Sequence, residues 1–281
     1  MVSKANEDLP DPDSPVKTIS ASRGRSSDTS LRLCSRAPRT TRLSPTTKAP
    51  FSAPLSLASA ARVPNVYSGH ASVGGPALIR ELPTVVIRKL AVGHMDNNVF
   101  LLRCTATGEE LMIDAAAEPE RILTLMGGKN LTGIVTTHRH HDHWGALDDV
   151  VRATEAPTYA HDADADAIDV PTRHRLHDED SITVGDVTMG VIHLVGHTPG
   201  SLVITFDDPS GHSHLFTGDC LFPGGVGRTW SPEDFDTLYR GVVEKIFDRY
   251  DDDTWVYPGH GDDTTLGRER PSLDEWRERG W

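Results

Sequence analysis

The chain has 281 residues, enough for one large domain or two small ones. Hydrophobic residues make up 37% of it, an ordinary fraction for a globular protein, and no stretch approaches the roughly 18 uncharged apolar residues of a membrane span. Residues 65–281 hold 18 basic against 36 acidic side chains, a net charge of −18, which excludes binding of nucleic acid or an anionic membrane through bulk charge.

Residues 1–80 differ in composition from the rest of the chain. They are rich in Ser, Arg, Thr, Pro and Ala, and they show no sustained helical or strand periodicity. Such a segment cannot bury enough apolar surface to offset its ordering entropy. We therefore expect a disordered tail over residues 1–80 and a folded domain over residues 81–281. The basic, Ser-rich stretch 14–62 leaves an organelle transit peptide open as an alternative.

The cysteine pattern bears on the compartment. Cys34, Cys104 and Cys220 are widely spaced and form neither a CxxC pair nor an even disulfide framework. No charged segment followed by an apolar one marks a secretory signal. A reducing, cytoplasmic location is the simplest interpretation, with organelle targeting through the tail as the alternative.

From about residue 81 the hydrophobic pattern becomes that of a folded domain. Apolar runs between turn residues predict strands at residues 84–90, 97–104, 109–114, 133–137, 157–161, 186–195, 201–206, 214–218 and 254–259. Helical spacing predicts helices at residues 118–126, 144–154 and 232–247, with a short one near Trp276. Mixed strands and helices without a repeating βαβ unit indicate an α/β sandwich with helices outside.

Four histidines and one aspartate lie in the segment VTTHRHHDHWGAL, residues 135–147, just after a predicted strand. Alternation along an extended chain puts His138 and His140 on one side, while Asp142 and His143 on the next turn would point to a neighbouring spot. Neutral imidazoles and carboxylates are ligands for divalent metals. The arrangement suits two adjacent metal positions better than one.

Three more ligand-type residues follow later predicted strands. They are His197 in GHTPGS, Asp219 in TGDCLF and His260 in YPGHG. Each has glycine nearby, which lets the backbone approach a crowded centre. Because all three stand at strand-to-loop junctions, we expect them to join the histidine-rich segment in one site.

This ordered set, H-x-H-x-D-H and then a lone His, an Asp and a His, resembles the metallo-β-lactamase superfamily over roughly residues 83–265. The resemblance implies a four-layer αββα sandwich. It also implies seven ligands for two metal ions, with the first ion bound by His138, His140 and His197, the second by Asp142, His143 and His260, and both bridged by Asp219. Asp114 matches a family carboxylate that orients a histidine ligand.

Zinc is the default metal for histidine and carboxylate ligands without a thiolate, and iron or manganese is chemically compatible. Two adjacent cations lower the pKa of a shared water, and the resulting hydroxide can attack a carbonyl while Asp142 holds it by a hydrogen bond. No Ser-His-Asp pattern or GxSxG elbow is evident. The sequence therefore predicts metal-assisted hydrolysis, with Asp142 and Asp219 as the catalytic carboxylates.

Within the superfamily the chain is most similar to the glyoxalase II-like hydrolases, which cleave thioesters. In those enzymes a glycine-rich turn carries a basic and an aromatic residue that face the substrate, and LFPGGVGRTW (221–230) places Arg228 and Trp230 there. Arg228 would pair with a carboxylate on the thiol carrier. Only residues 261–281 follow His260, and Asp262 stands where glyoxalase II has a tyrosine. The resemblance is thus to the short single-domain hydrolases, and a small-molecule thioester or related ester is the expected partner.

Two other reactions remain open. The GVGRT turn, residues 225–229, is similar to one in the persulfide dioxygenases, which use a single iron held by the equivalents of His138, His140 or His143, His197 and Asp219. Lactone or β-lactam hydrolysis is the second alternative, although classical β-lactamases use cysteine in place of Asp219.

Overall fold

The structure, a computed structural model, describes residues 67–126 and 130–280. The predicted disorder of residues 1–66 lies outside this range. Packed residues nevertheless precede the predicted domain start at residue 81. Tyr67 sits edge-on to Trp255 with ring centroids 5.7 Å apart, Ala71 is buried, and Leu78–Glu81 forms a strand. The sequence pattern missed this segment because its contacts are with distant parts of the chain rather than with its own neighbours.

The first sheet runs through seven strands in chain order. They are β1 (Leu78–Glu81), β2 (Val85–Val92), β3 (Asn97–Cys104), β4 (Glu110–Ile113), β5 (Leu131–Val135), β6 (Thr158–His161) and β7 (His174–Leu176). Strands β1 to β4 pair antiparallel, whereas β4 to β7 pair parallel. Parallel neighbours send their carboxyl ends to the same edge, so the residues that follow β4 and β5 emerge together.

The second sheet has six strands in the order β15, β14, β11, β10, β9, β8. Their bounds are β8 (Ser181–Val184), β9 (Val187–Leu194), β10 (Ser201–Asp207), β11 (Ser213–Gly218), β14 (Trp255–Pro258) and β15 (Thr264–Thr265). A two-stranded hairpin, β12 (Leu221–Phe222) and β13 (Gly225–Val226), follows β11. Because β11 and β14 are parallel neighbours, Asp219 and His260 leave the sheet at one edge.

Helices cover the outer face of each sheet. They are α1 (Pro119–Met126), α2 (Leu147–Thr154), α3 (Asp162–Ala165), α4 (Pro232–Val242), α5 (Leu266–Glu269) and α6 (Leu273–Arg279). One apolar cluster lies between the sheets, with Phe100 from the first and Phe216 from the second in edge-on contact at 5.1 Å. A second cluster joins α1 and α2 to the first sheet, and a third joins α4 and α6 to the second. These four layers confirm the predicted αββα sandwich.

Two predicted helices differ in detail. The predicted helix 144–154 begins only at Leu147, and a 3-10 turn, His141–His143, precedes it. The predicted helix 232–247 is α-helical to Val242 and then makes a π-helical turn, Val243–Phe247. The Ser231 hydroxyl accepts a hydrogen bond from the Asp234 amide, 3.0 Å away, as its capping role predicts. None of the helices in the described part of the chain has the length and hydropathy needed to cross a membrane.

Candidate metal centre

The loop after β5 brings two predicted ligands into contact. Nε2 of His138 lies 2.9 Å from Nδ1 of His140 and 3.2 Å from Nε2 of His197, which comes from the loop after β9. Two nitrogens bound to one tetrahedral zinc are about 3.4 Å apart, since each Zn–N bond is about 2.0–2.1 Å. The three imidazoles therefore point their nitrogens at one small volume, at the spacing of metal ligands.

A second group of ligand atoms forms beside the first. The 3-10 turn carries Asp142 and His143 toward His260, which follows β14. Nε2 of His143 lies 3.1 Å from Nε2 of His260, and Oδ2 of Asp142 lies 3.3 Å from the same His260 nitrogen. The turn expected at Asp142 and His143 is a 3-10 turn, and it directs these two side chains to a spot different from that of His138.

Asp219 stands between the two groups. Its Oδ2 lies 3.5 Å from Nε2 of His197 and 3.4 Å from Nε2 of His260, while its Oδ1 lies 3.4 Å from Nε2 of His143. That Oδ1 atom is buried and has no hydrogen-bond partner among the described residues. An orphaned buried carboxylate oxygen is costly unless something else binds it, and a metal ion among these nitrogens would do so.

Ligand-type atoms within 4.8 Å of one another form three overlapping trios. They are His138, His140 and His197; His138, His143 and Asp219; and Asp142, His143 and His260. All seven predicted ligands thus meet in one cluster, and their chemistry fits a divalent metal. Their assignment to a first and a second ion remains a prediction, because the middle trio links both groups.

Asp114 is placed to orient one of these histidines. It follows β4, and its Oδ2 accepts a hydrogen bond from Nδ1 of His143, 2.8 Å away. The amide and hydroxyl of Thr137 also donate to its carboxylate, at 2.7 and 2.8 Å. A carboxylate on Nδ1 keeps the proton there and leaves Nε2 free to bind a metal. The structure gives Asp114 the geometry of the role that the resemblance implies.

Backbone carbonyls orient two further histidines. Nδ1 of His197 lies 2.7 Å from the Arg228 carbonyl, and Nδ1 of His260 lies 2.8 Å from the Met95 carbonyl. Because a carbonyl can only accept, each Nδ1 carries a proton, and in the neutral imidazole Nε2 is the unprotonated nitrogen that faces the cluster. The ligand tautomers are therefore set by the fold before any cation binds.

Electrostatics in the cluster favour a cation. Burial lowers the pKa of His138 well below its usual value, and the charge of His143 lowers it further. Burial also opposes charge on His143, but the carboxylates of Asp219 and Asp114 raise its pKa well above the usual value. Burial would raise the pKa of Asp219, yet His143 and His260 hold it well below the usual range. The carboxylates thus stay ionised and require positive charge beside them, which protons or metal ions can supply.

A cavity of about 380 Å³ opens onto the cluster. Apart from the predicted ligands it is lined by Met95, by Arg228 and by the hairpin segment Phe222–Gly227. The exposed Arg228 guanidinium stacks 4.8 Å from the ring centroid of Trp230, which is 64% exposed. Trp230 does not line the cavity, and its ring lies 6.4 Å from that of His140. The predicted substrate residues therefore flank the candidate metal centre.

Two residues that contact the site were not predicted. Nδ2 of Asn97, at the start of β3, donates to Oδ2 of Asp142 at 2.9 Å. Asp164 in α3 is fully buried and accepts from the Arg139 amide at 3.0 Å and from the Thr198 hydroxyl at 2.6 Å, so it ties the loop after β5 to the loop carrying His197. No local sequence signal identifies either residue, because each acts on a segment far away along the chain.

Comparison with known proteins agrees with this geometry. Residues 92–260 match the metallo-beta-lactamase superfamily, a span that includes every predicted ligand. An uncharacterized protein of Aquifex aeolicus is 32% identical over 202 residues, which cover 66% of this chain and 94% of that protein. A hydroxyacylglutathione hydrolase of Polaromonas sp. is 32% identical over 181 residues, covering 63% of this chain. The chain spans only 66% of that enzyme's length.

Solved structures give the same picture. The protein TTHA1623, in a di-iron-bound form, is 32% identical with a TM-score of 0.53, and the match covers 65% of this chain and 96% of that one. The B3 metallo-beta-lactamase BLEG-1 is 29% identical with a TM-score of 0.58, covering 66% and 96%. With a family match over more than half of its length and the four-layer sandwich in place, the chain belongs to the metallo-beta-lactamase superfamily.

Proposed function

We propose that the protein is a binuclear metal-dependent hydrolase that cleaves thioesters of small molecules. The observation that carries the proposal is the convergence of seven ligand-type side chains around the buried, orphaned Oδ1 of Asp219. His138, His140 and His197 would hold one ion, and the other ion would be held by Asp142, His143 and His260, with Asp219 between them. Two such ions, when bound, supply Lewis acidity that lowers the pKa of water and stabilises an oxyanion.

Asp142 is the candidate for handling the proton of the attacking water. Its Oδ2 is held by Asn97 at 2.9 Å and by His260 at 3.3 Å. Its Oδ1 has no hydrogen-bond donor among the described residues and can accept from a water. Burial would raise the pKa of Asp142, but His260, His143 and Asn97 hold that pKa below its usual value, so the carboxylate is ionised and ready to accept.

The described lining of the cavity offers no general acid besides the proton that Asp142 would take from the attacking water, which suits a good leaving group such as a thiolate. Apart from the predicted metal ligands, Arg228 is the only ionisable residue among the described residues that line it. Arg228 cannot act as a general acid at neutral pH, because the pKa of a guanidinium is above about 12. A thiol of pKa about 8.5 leaves readily as a thiolate, whereas an amine must be protonated. The similarity to a hydroxyacylglutathione hydrolase points the same way.

Arg228 also suggests the charge of the substrate. It is exposed, it lies at the cavity, and it makes no hydrogen bond or ion pair through its side chain with any described residue. Its contact with the Trp230 ring is a cation–π contact, which leaves the guanidinium donors available. We therefore propose that the thiol carrier bears a carboxylate or another anionic group, while the apolar hairpin lining meets the acyl part.

A substrate and metal panel tests the proposal. The protein is purified with its native metal, its metal content is measured, and zinc- and iron-loaded forms are assayed with S-acyl thiols, a lactone, a β-lactam and a persulfide. We expect two metal ions per chain and fastest turnover of an anionic thioester. His140→Ala should abolish this turnover, whereas His212→Ala, at an exposed histidine paired with Asp253, should not change it.

Two results would replace the proposal. Oxygen uptake with the persulfide by a protein holding one iron would assign a dioxygenase. Faster turnover of the β-lactam than of every thioester would assign a lactam hydrolase, an alternative supported by the 29% identity to the BLEG-1 enzyme. Turnover of every thioester, lactone and β-lactam on the panel no greater than that of His140→Ala would end the hydrolase proposal altogether.

A further inference from the structure

A buried ion pair lies behind the loop that carries His260. Lys89, in β2, is fully buried, and its ammonium donates to Oδ1 of Asp263 at 2.7 Å. The same group donates to the carbonyls of Gly261, at 2.7 Å, and Gly69, at 2.9 Å. All three ammonium protons thus have acceptors, which is what a charge in the protein interior requires.

Every acceptor of Lys89 belongs to the His260 loop or to the segment packed on it. We define the His260 loop as residues 259–263, between β14 and β15. Gly261 and Asp263 are in this loop, directly after His260, and Gly261 has a left-handed φ of 66°. Gly69 accepts a backbone hydrogen bond from Asp263, with an N···O distance of 3.0 Å. Lys89 therefore lies where the His260 loop contacts the segment around Gly69.

The outer side of the Asp263 carboxylate is also bound. The Tyr67 hydroxyl donates to its Oδ2 at 2.6 Å, so Lys89 and Tyr67 hold the two carboxylate oxygens separately. On the other side of the loop, Asn98 donates from its side chain to the carbonyls of Pro258 and Gly261, both at 2.9 Å. Backbone hydrogen bonds, among them Asn98 to Gly259 and Gly261 to Asp96, also hold the loop, so these side chains and the backbone fix its path together.

We propose that Lys89 and Asp263 are positioning residues for His260, and that their ion pair sets the affinity of the second metal position. This inference rests on the proposed binuclear centre. Among the described residues no hydrogen bond joins Lys89 or Asp263 to the first group of ligands, and the loop after β5 is held instead by Asp114 and Asp164. Removal of the pair should therefore weaken one metal position and spare the other.

The experiment compares metal binding by two double variants. Lys89→Met with Asp263→Asn removes both charges together, and replacement of a buried pair by neutral groups of similar volume is tolerated far better than loss of one partner. Gly261 keeps Asn98 as a donor in this variant, which supports the loop. The control, Arg88→Met with Glu110→Gln, removes a second ion pair, whose N···O distance is 3.3 Å. Arg88 is the neighbour of Lys89 in β2, and its side chain therefore points to the other face of the sheet.

Metal-free proteins are titrated with cobalt, followed by visible absorbance, and with zinc against a chromophoric chelator. We expect the wild type and the control to bind two ions with the same affinities. The Lys89→Met/Asp263→Asn variant should bind the first ion normally and the second about 10- to 100-fold more weakly, the usual effect of losing a residue that orients a ligand. Circular dichroism establishes that each variant is folded, and Lys89→Gln with Asp263→Asn, which keeps an amide donor for the loop carbonyls, is the milder variant if the first one unfolds.

The outcomes separate this inference from the proposed function. If the wild type binds two ions and the variant binds both as tightly as the control, the pair has only a structural role and the inference fails alone. Equal weakening of both positions would overturn it in the same way. If the wild type binds fewer than two ions, the binuclear centre itself fails, and the inference fails with it.

Discussion

Replacing Asp114 by asparagine tests whether the fold sets the tautomer of a metal ligand. Asp114 has a left-handed φ of 58°, a conformation that asparagine adopts readily, so the substitution leaves the backbone in place. The carboxylate accepts hydrogen bonds from Thr137 and from Nδ1 of His143. Asparagine offers one acceptor and one donor in their place.

The structure indicates which hydrogen bond of residue 114 is lost in the Asp114→Asn variant. If the asparagine oxygen keeps the Thr137 amide, its NH₂ group faces Nδ1 of His143. His143 must then move its proton to Nε2, the atom that lies 3.1 Å from Nε2 of His260 and 3.4 Å from Oδ1 of Asp219. A hydrogen bond to a charged group contributes about 1.5–3 kcal/mol, so we expect the metal-free variant to lose about that much unfolding free energy. Its metal affinity should fall about 10- to 100-fold.

Urea unfolding of the metal-free protein and zinc competition measure the two quantities. Glu155→Gln is the matched control, because Glu155 is also an acidic residue with a left-handed φ, 58°, but ends α2 on the surface. If Asp114→Asn binds zinc as tightly as this control does, the tautomer argument is wrong. A loss of stability without a loss of affinity would give Asp114 a purely structural role.

Three further predictions concern pH, substrate charge and metal removal. Burial lowers the pKa of His214 to about 4, whereas an unfolded histidine has a pKa of about 6.5. As the pH falls from about 6.5 toward 4 the unfolded chain is protonated before the folded one, so the folded state loses stability over this range and keeps it above about pH 6.5. The variant His214→Gln keeps an acceptor for the Tyr257 hydroxyl. Between pH 7 and pH 4.5 its unfolding free energy should fall by about 2–3 kcal/mol less than that of the wild type, as measured by denaturant titration. Equal decreases in the two proteins would contradict this. Arg228→Met should raise KM for an anionic thioester about tenfold without changing KM for a neutral one, and a similar rise for both would refute charge recognition. Chelation should lower Tm by about 5–10 °C, the effect of removing a ligand present at about 100 times its Kd, and zinc should restore it; an unchanged Tm in differential scanning calorimetry would argue against a bound metal.

Residues at strand ends were predictable because parallel strands bring them to a shared edge. Asp219 and His260 follow parallel neighbours of one sheet and so share an edge, whereas the run after β5 belongs to the other sheet and was joined to them through the family resemblance. The path within a loop is harder to predict. A turn was expected at Asp142 and His143, but its form, the 3-10 turn His141–His143, depends on packing that no local pattern encodes.

The supporting contacts of the site lay beyond sequence reasoning for a different reason. Tyr67 and Asp263 are 196 residues apart, and Asn97 and Asp142 are 45 apart. Neither pair has a periodicity or motif that marks it. Residues 67–77 in particular look like a continuation of the polar tail, and it is contacts with distant residues, such as Tyr67 with Trp255 and Gly69 with Asp263, that place them in the folded domain.

Because β11 and β14 pair in parallel, the complete set of metal ligands can assemble only late in folding. Asp219 and His260 become neighbours only after residues 220–259 have crossed over and returned to the sheet in register. A partly folded chain can offer His138 and His140 to an ion, since only Arg139 separates them, but it cannot offer the complete set of ligands. During refolding, we expect cobalt absorbance to rise in two phases, with the slower phase following closure of this last long-range strand pair.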